Sequence, residues 1–187
     1  MKMTVSAKTA LGAMVTALSV VILIPSAMQV FVYTLPAMAG MLTMFAVVEI
    51  DKKWAIGSYV ATSLIGLLFV ANKEAVMYYV AFFGYYPVVK AILESKLPRV
   101  LEYILKFLIF NFSIVLSGIV LVKLFGMPYN DLLGIDDESA FFTRYALPIM
   151  LGMGNVVFVL YDVALTRLLT AYIYVWQKRF HKLFRFS

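Results

Sequence analysis

Cysteine is absent from the chain. That absence removes disulfides, iron–sulfur clusters, thiolate zinc sites and cysteine nucleophiles together, and it leaves the redox compartment open. Histidine is nearly absent: His181 stands alone in a basic tail, which excludes a histidine-rich metal site and a Ser-His-Asp triad and reads as a solvated interfacial side chain. Charge is scarce too. Asp, Glu, Lys and Arg supply 14% of 187 residues against 64% apolar ones, too little polar surface to clothe a soluble globule of this size. No Gly-x-x-x-x-Gly-Lys-Ser/Thr motif occurs, no polar region is large enough for a soluble domain, and there is no internal repeat or low-complexity segment. Dense acid–base or metal-ligand constellations are lacking, so an enzyme is not expected, and no cofactor is implied.

What the chain does have is long apolar runs. A bilayer core of about 30 Å needs about 20 apolar residues in helical form. From Ala10 to Val48 no charge occurs, nearly twice that length, and Pro25, Ser26, Gln29 and Thr34-Leu35-Pro36 interrupt the run. Two spans are expected there, 10–31 and 34–50, with Pro36 in a first helical turn where its missing N–H costs nothing. Asp51-Lys52-Lys53 and Asn72-Lys73-Glu74 bracket a third span, 54–71, and a fourth covers 75–93. A fifth, 101–125, ends at Gly126 and Pro128, a usual helix stop. Ser139 is a candidate N-cap for a last crossing at 143–166, or one shifted by several residues if Arg167 lies deeper, after which residues 168–187 form a basic interfacial helix with Trp176, Phe180 and Phe184 on one side and Lys178, Arg179, Lys182 and Arg185 between them. Pro25-Ser26-Ala27 is a poor small-x-small site, so the first span is expected to be a span and not a cleaved signal.

The expected fold is therefore one all-α integral membrane domain, residues 1–187, with six transmembrane helices. Basic residues set its orientation. Lys2, Lys8, Lys52, Lys53, Lys96, Arg99, Arg167, Lys178, Arg179, Lys182 and Arg185 fall on one side, and only Lys73, Lys123 and Arg144 on the other, so both termini are placed in the cytoplasm of a plasma-membrane protein. The net charge of +6 is assigned to anionic lipid headgroups and not to nucleic acid.

Several groups are candidates for function. Ala10, Ala13 and Ala17 make a small-residue stripe whose Ala13-x-x-x-Ala17 spacing lets two helix backbones approach closely, either a partner's or a neighbour's in the bundle. Glu49, Lys90, Glu102, Lys106 and Asp162 fall at one depth near the cytoplasmic ends of the spans, as an ion relay or as a structural network in which Lys90 or Lys106 neutralises Asp162. Phe83-Gly84-Tyr85-Tyr86-Pro87 predicts a kink, because proline frees the Phe83 carbonyl. Asn111 and Asn155 lie at mid-span, bonded to each other or, for Asn155 beside Gly152 and Gly154, to a ligand. Gln29, Tyr33, Tyr78, Tyr79 and Arg144 are expected to converge above Asn155 on the outer side, with loop 129–139 as lid. Its Asp131, Asp136, Asp137 and Glu138 lack EF-hand spacing and read as a helix-capping loop.

A chain of this length with six spans, an inside N-terminus and Ala13-x-x-x-Ala17 early in the first span resembles the substrate-binding S-components of energy-coupling factor transporters. The resemblance implies a vitamin-like ligand bound toward the outer side, and partners consisting of a coupling membrane subunit, docked on the alanine motif, and ATPase subunits. The alternative is a non-transport membrane scaffold or assembly subunit.

Overall fold

The computed structural model describes residues 3–28, 31–128 and 140–176, without the side chains of Ala27, residues 140–144, Ala146 and Trp176. The acidic loop 129–139 and most of the basic tail lie outside the described residues, as does Gln29.

Thr4 opens the first helix, α1 (Val5–Leu23), by accepting the Ala7 N–H on its hydroxyl, and a 3₁₀ turn (Ile24–Ala27) with Pro25 in its first turn closes it. The helix α2 (Thr34–Glu49) carries Pro36 in its first turn, and α3 (Lys52–Phe69) is capped by Asp51, whose carboxylate accepts from the N–H groups of Lys53 and Trp54 at 2.9 and 3.0 Å. The fourth rod is broken: α4 (Lys73–Tyr78), capped by Asn72, passes into a π-helical turn (Tyr79–Phe83) before α5 (Tyr86–Lys96) resumes. The long α6 (Arg99–Phe125) ends at Gly126, whose φ of 65° is the left-handed C-cap conformation that glycine adopts without strain. Last comes α7 (Ala140–Ala171), continued by a π-helical turn (Tyr172–Trp176). Among the described residues no strand occurs.

Four helical stretches are long and apolar enough to cross a membrane: Val5–Ser26, Lys73–Lys96, Arg99–Phe125 and Leu147–Val175, with α2 a shorter apolar helix. The helix α3 is not among them, since it begins with two lysines and spends Ser58, Thr62 and Ser63 on its buried face. Burial is inverted relative to a water-soluble protein. Large apolar side chains such as Leu68, Phe69, Phe112, Met153 and Leu160 face outward, whereas Ser19, Thr43, Thr62, Lys90 and Lys106 are buried. Lipid is the solvent that makes both placements favourable, and the chain is a membrane protein.

Small residues bring α1, α2 and α3 together. Ser58 Oγ donates to the Gly12 carbonyl at 3.1 Å, and a Cβ on Gly12 would already stand 3.3 Å from that hydroxyl. Ala39, Ala46 and Ala55 are fully buried along the same contacts. The other half of the core is aromatic: Phe82 packs edge-on to Phe110 and Phe158 and tilts over Tyr86 at 4.6 Å, and Phe110 stacks on Phe158 at 4.8 Å.

The expected kink is a π-turn followed by a helix restart. The Gly84 N–H donates to the Tyr79 carbonyl at 2.8 Å, five residues back, and Pro87 brings no donor to Phe83. The freed Phe83 carbonyl lies against Gly40 of α2, so close that a Cβ on Gly40 would sit within 2.4 Å of it and 2.6 Å of the Tyr161 hydroxyl. On the outer flank of the turn the Tyr59 ring fills the space where a Gly84 Cβ would project.

Two expected boundaries shift. The helix α1 starts at Val5, earlier than the expected 10, because Thr4 caps it. The last helix continues past the expected 166 through an exposed Arg167, with its apolar window at Leu147–Val175, since no Gly or Pro follows Gly154 and the Thr166 and Thr170 hydroxyls fold back onto carbonyls four residues earlier.

Gly40→Ala is expected to destabilise the purified protein by about 1–3 kcal/mol through overpacking against backbone. Gly118→Ala, on α6 with open space around its Cβ, is expected to leave the thermal midpoint unchanged or raise it slightly. Equal midpoints for the two variants would contradict the α2 contact.

Candidate functional site

One end of the bundle holds a buried ionic cluster. Lys90 is on α5, Lys106 on α6 and Asp162 on α7, and the two lysine side chains are each 1% exposed. Asp162 Oδ1 accepts from Lys90 Nζ at 2.6 Å and from the Tyr86 hydroxyl at 2.6 Å, while its Oδ2 faces Lys106 Nζ at 3.3 Å. Lys106 also pairs with Glu102 at 2.6 Å and with Glu94 at 2.9 Å, and Glu94 reaches Lys90 as well. Three carboxylates around two ammoniums leave every charge with an opposite neighbour, as burial in hydrocarbon demands. The cluster joins α5, α6 and α7 at one depth.

Of the five residues expected in the ionic network, the structure brings together Lys90, Glu102, Lys106 and Asp162. Glu49, at the end of α2, accepts from the Tyr172 hydroxyl at 2.9 Å. Two members were missed. Glu94 lies four residues after Lys90, a spacing that was visible in the sequence, whereas nothing in the sequence showed that Tyr86 would turn toward Asp162. At the same end Lys8 binds Asp51 at 3.0 Å and Lys52 Nζ donates to the Ala91 carbonyl at 3.1 Å, tying α1 to α3 and α3 to α5. The backbone N–H of Trp54, and then the Lys8 ammonium, hold the Asp51 carboxyl below the ordinary carboxylate range.

At mid-bundle Asn111 and Asn155 exchange hydrogen bonds in both directions, 2.9 and 3.0 Å, and each amide also donates to the carbonyl four residues earlier. All four amide N–H groups are used, so Asn155 offers a ligand no spare donor. Tyr79 is likewise turned inward: it is fully buried, with its hydroxyl 3.4 Å from that of Thr43.

The opposite end gathers Tyr33 and Tyr78, whose ring centroids are 4.8 Å apart with planes at 36°. Glu74, one turn before Tyr78 on α4, accepts its hydroxyl at 3.1 Å. Asn72 clamps this end by donating to the Ser26 carbonyl at 2.7 Å, and Lys73 Nζ caps α3 through the Leu67 and Val70 carbonyls at 2.7 and 2.8 Å. Of the residues expected to converge above Asn155, the described side chains bring Tyr33 to Tyr78. Tyr79 and Asn155 point into separate interior contacts, Gln29 lies outside the described residues, and Arg144 is within α7 with its side chain undescribed.

On α1, Ala10, Ala13 and Ala17 are exposed together with Met14, Leu18 and Val21, while Leu11, Gly12, Val15, Thr16 and Ser19 form the buried face. The alanines contribute nothing to the bundle's own core. Among the described residues no group of three or more metal-type ligands assembles.

No family model, curated protein or solved structure matches the chain.

In a double-mutant cycle on thermal stability, Asp162→Asn and Lys90→Met are expected to couple by about 1 kcal/mol or more, with a smaller coupling for Asp162→Asn with Lys106→Met. Additivity in both cycles would contradict the cluster.

Proposed function

We propose that this chain is the small-molecule-binding subunit of an energy-coupling-factor-type uptake transporter, crossing the plasma membrane six times with both termini in the cytoplasm. The observation that carries this reading is the outward alanine face of α1. Lipid tails gain nothing from Ala10, Ala13 and Ala17 that larger apolar residues would not supply, whereas a partner helix gains close backbone approach. Six rods in series, counting α4 and α5 as one broken rod, would return the chain to the side on which it starts, and the basic residues would hold that side in the cytoplasm. With no nucleotide motif in the sequence, energy would come from ATPase subunits acting through a coupling membrane subunit. A vitamin-like ligand would enter from the end that carries Tyr33 and Tyr78.

A second reading, a non-transport scaffold or assembly subunit, is favoured by the saturation of the Asn111–Asn155 pair and of the ionic cluster, both of which hold helices in register. The alanine face separates the two. Ala13→Trp and Ala17→Leu are expected to give folded, monodisperse protein that no longer co-purifies ATPase subunits or accumulates ligand. Unchanged partner binding by a folded variant would sink the transporter reading, and unfolding of Ala13→Trp would place the stripe inside a packed contact. For the orientation, a cysteine replacing Ser6 is expected to resist an impermeant thiol reagent in intact cells. Labelling from outside would reverse the topology.

A further inference from the structure

The break in the fourth rod frees two backbone carbonyls, and each has a tyrosine hydroxyl beside it. The Gly84 N–H, which in an α-helix would serve Val80, donates to Tyr79 instead, so the π-turn passes over the Val80 carbonyl. Tyr59 of α3 takes it, its hydroxyl donating at 2.8 Å. Pro87 frees the second carbonyl, that of Phe83. Tyr161 of α7 stands at this one. Its ring packs edge-on to the Phe83 ring at 5.1 Å, and its hydroxyl and the Phe83 carbonyl oxygen both lie within 2.6 Å of the point where a Gly40 Cβ would be, hence within about 5 Å of each other. Yet among the described residues the buried Tyr161 hydroxyl has no hydrogen-bond partner. The undescribed side chains of α7 are fifteen or more residues from it along the helix, roughly 22 Å at 1.5 Å per residue, and out of its reach.

Tyr59 is thus a closed staple and Tyr161 an open one. A hydroxyl and a carbonyl left unbonded in hydrocarbon are each costly, and a movement of about 2 Å would join them at an ordinary 2.8 Å. Displacements of that size are what packed helices make when one slides or turns against another, and Gly40 offers no Cβ to hold the two oxygens apart. The two sides of the break are tied to different helices. On one side Asp162, the next residue along α7, is pinned to α5 by Lys90 and Tyr86. On the other, Asn72 ties the start of α4 to the turn after α1, and Tyr59 ties the π-turn to α3. The break is where one set of ties gives way to the other.

We propose that the break is a hinge with two hydrogen-bonding states, and that in the second the Tyr161 hydroxyl donates to the Phe83 carbonyl, latching α7 to the fourth rod. The inference goes beyond the uptake reading and does not depend on it. Tyr161 is a positioning residue: its hydroxyl acts by holding the backbone of the break.

The test uses the full-length protein in nanodiscs, with microsecond-to-millisecond exchange read by NMR relaxation dispersion at the amides of Phe82, Phe83 and Gly84. Wild type is expected to show exchange there. Tyr161→Phe removes one oxygen and with it the bond of the second state, so the minor population and its exchange contribution should fall about fivefold. The thermal midpoint of that variant should stay level or rise, because the hydroxyl makes no bond in the major state. Tyr59→Phe is the contrast, since it strips the Val80 carbonyl of its donor and should lower the midpoint. No exchange at the break in wild type, unchanged exchange in Tyr161→Phe, or a Tyr161→Phe midpoint that falls as far as that of Tyr59→Phe would each overturn the latch. The last result would mean that the hydroxyl is already bonded, to the carbonyl or through a bridging water.

Discussion

Hydrocarbon offers no hydrogen-bond partner, so every polar group between the two ends of this bundle must find one within the protein. The serines and threonines of the first three helices meet that demand at close quarters: Thr16 and Ser58 both reach the Gly12 carbonyl, and Ser19 leans on the Ala39 carbonyl. The asparagines do it by pairing with each other, and the charges by collecting at one depth. Removing one member of such a set costs more than the contact itself, because its partner is left without an alternative. Among the described residues three buried hydroxyls, those of Thr62, Ser63 and Tyr161, have no partner within hydrogen-bonding geometry. Tyr161 lies beside the π-turn at Tyr79–Phe83, where the backbone ladder is also interrupted.

That interruption organises the centre of the molecule. The π-turn and Pro87 together release the Phe83 carbonyl, Gly40 allows α2 to approach it, and Gly84 allows the Tyr59 ring to cover the other flank. The turn also re-aims the aromatic side chains on either side of it. Phe82 then reaches across to Phe110 and Phe158, and Tyr86 reaches Asp162. A straight α-helix through the same residues would present a different set of side chains to α6 and α7, so the break is what allows one rod to serve the aromatic core and the ionic cluster together.

The two ends of the bundle then differ in kind. One is closed and saturated, with lysines and carboxylates satisfying one another, and it fixes α5, α6 and α7. The other is clamped by Asn72 and Lys73 and holds a half-exposed Tyr33 and the Glu74 carboxylate, which accepts from Tyr78. Meanwhile the alanine face of α1 lies outside both ends and outside the core, available to another chain.

Much of the architecture was legible in the sequence. The apolar runs and their polar punctuation marked helical rods at Asp51-Lys52-Lys53, Asn72-Lys73-Glu74 and Gly126-Met127-Pro128, because the cost of unpaired backbone in lipid leaves few other conformations. The depth of Lys90, Lys106, Glu102 and Asp162 could be counted along those rods, and Glu94, though missed, stood one turn past Lys90, whereas its contact with Lys106 on α6 left no mark in the sequence. Partner choice was not legible. Glu49 receives the Tyr172 hydroxyl, Tyr78 and Tyr79 are neighbours in sequence yet reach Glu74 and Thr43 respectively, and Glu74, which the sequence showed only as part of a turn, accepts from the first of them. Sequence spacing fixes how far along a helix a side chain lies, but the rotation of each rod about its own axis is set by packing against the others, and that rotation decides which polar groups meet.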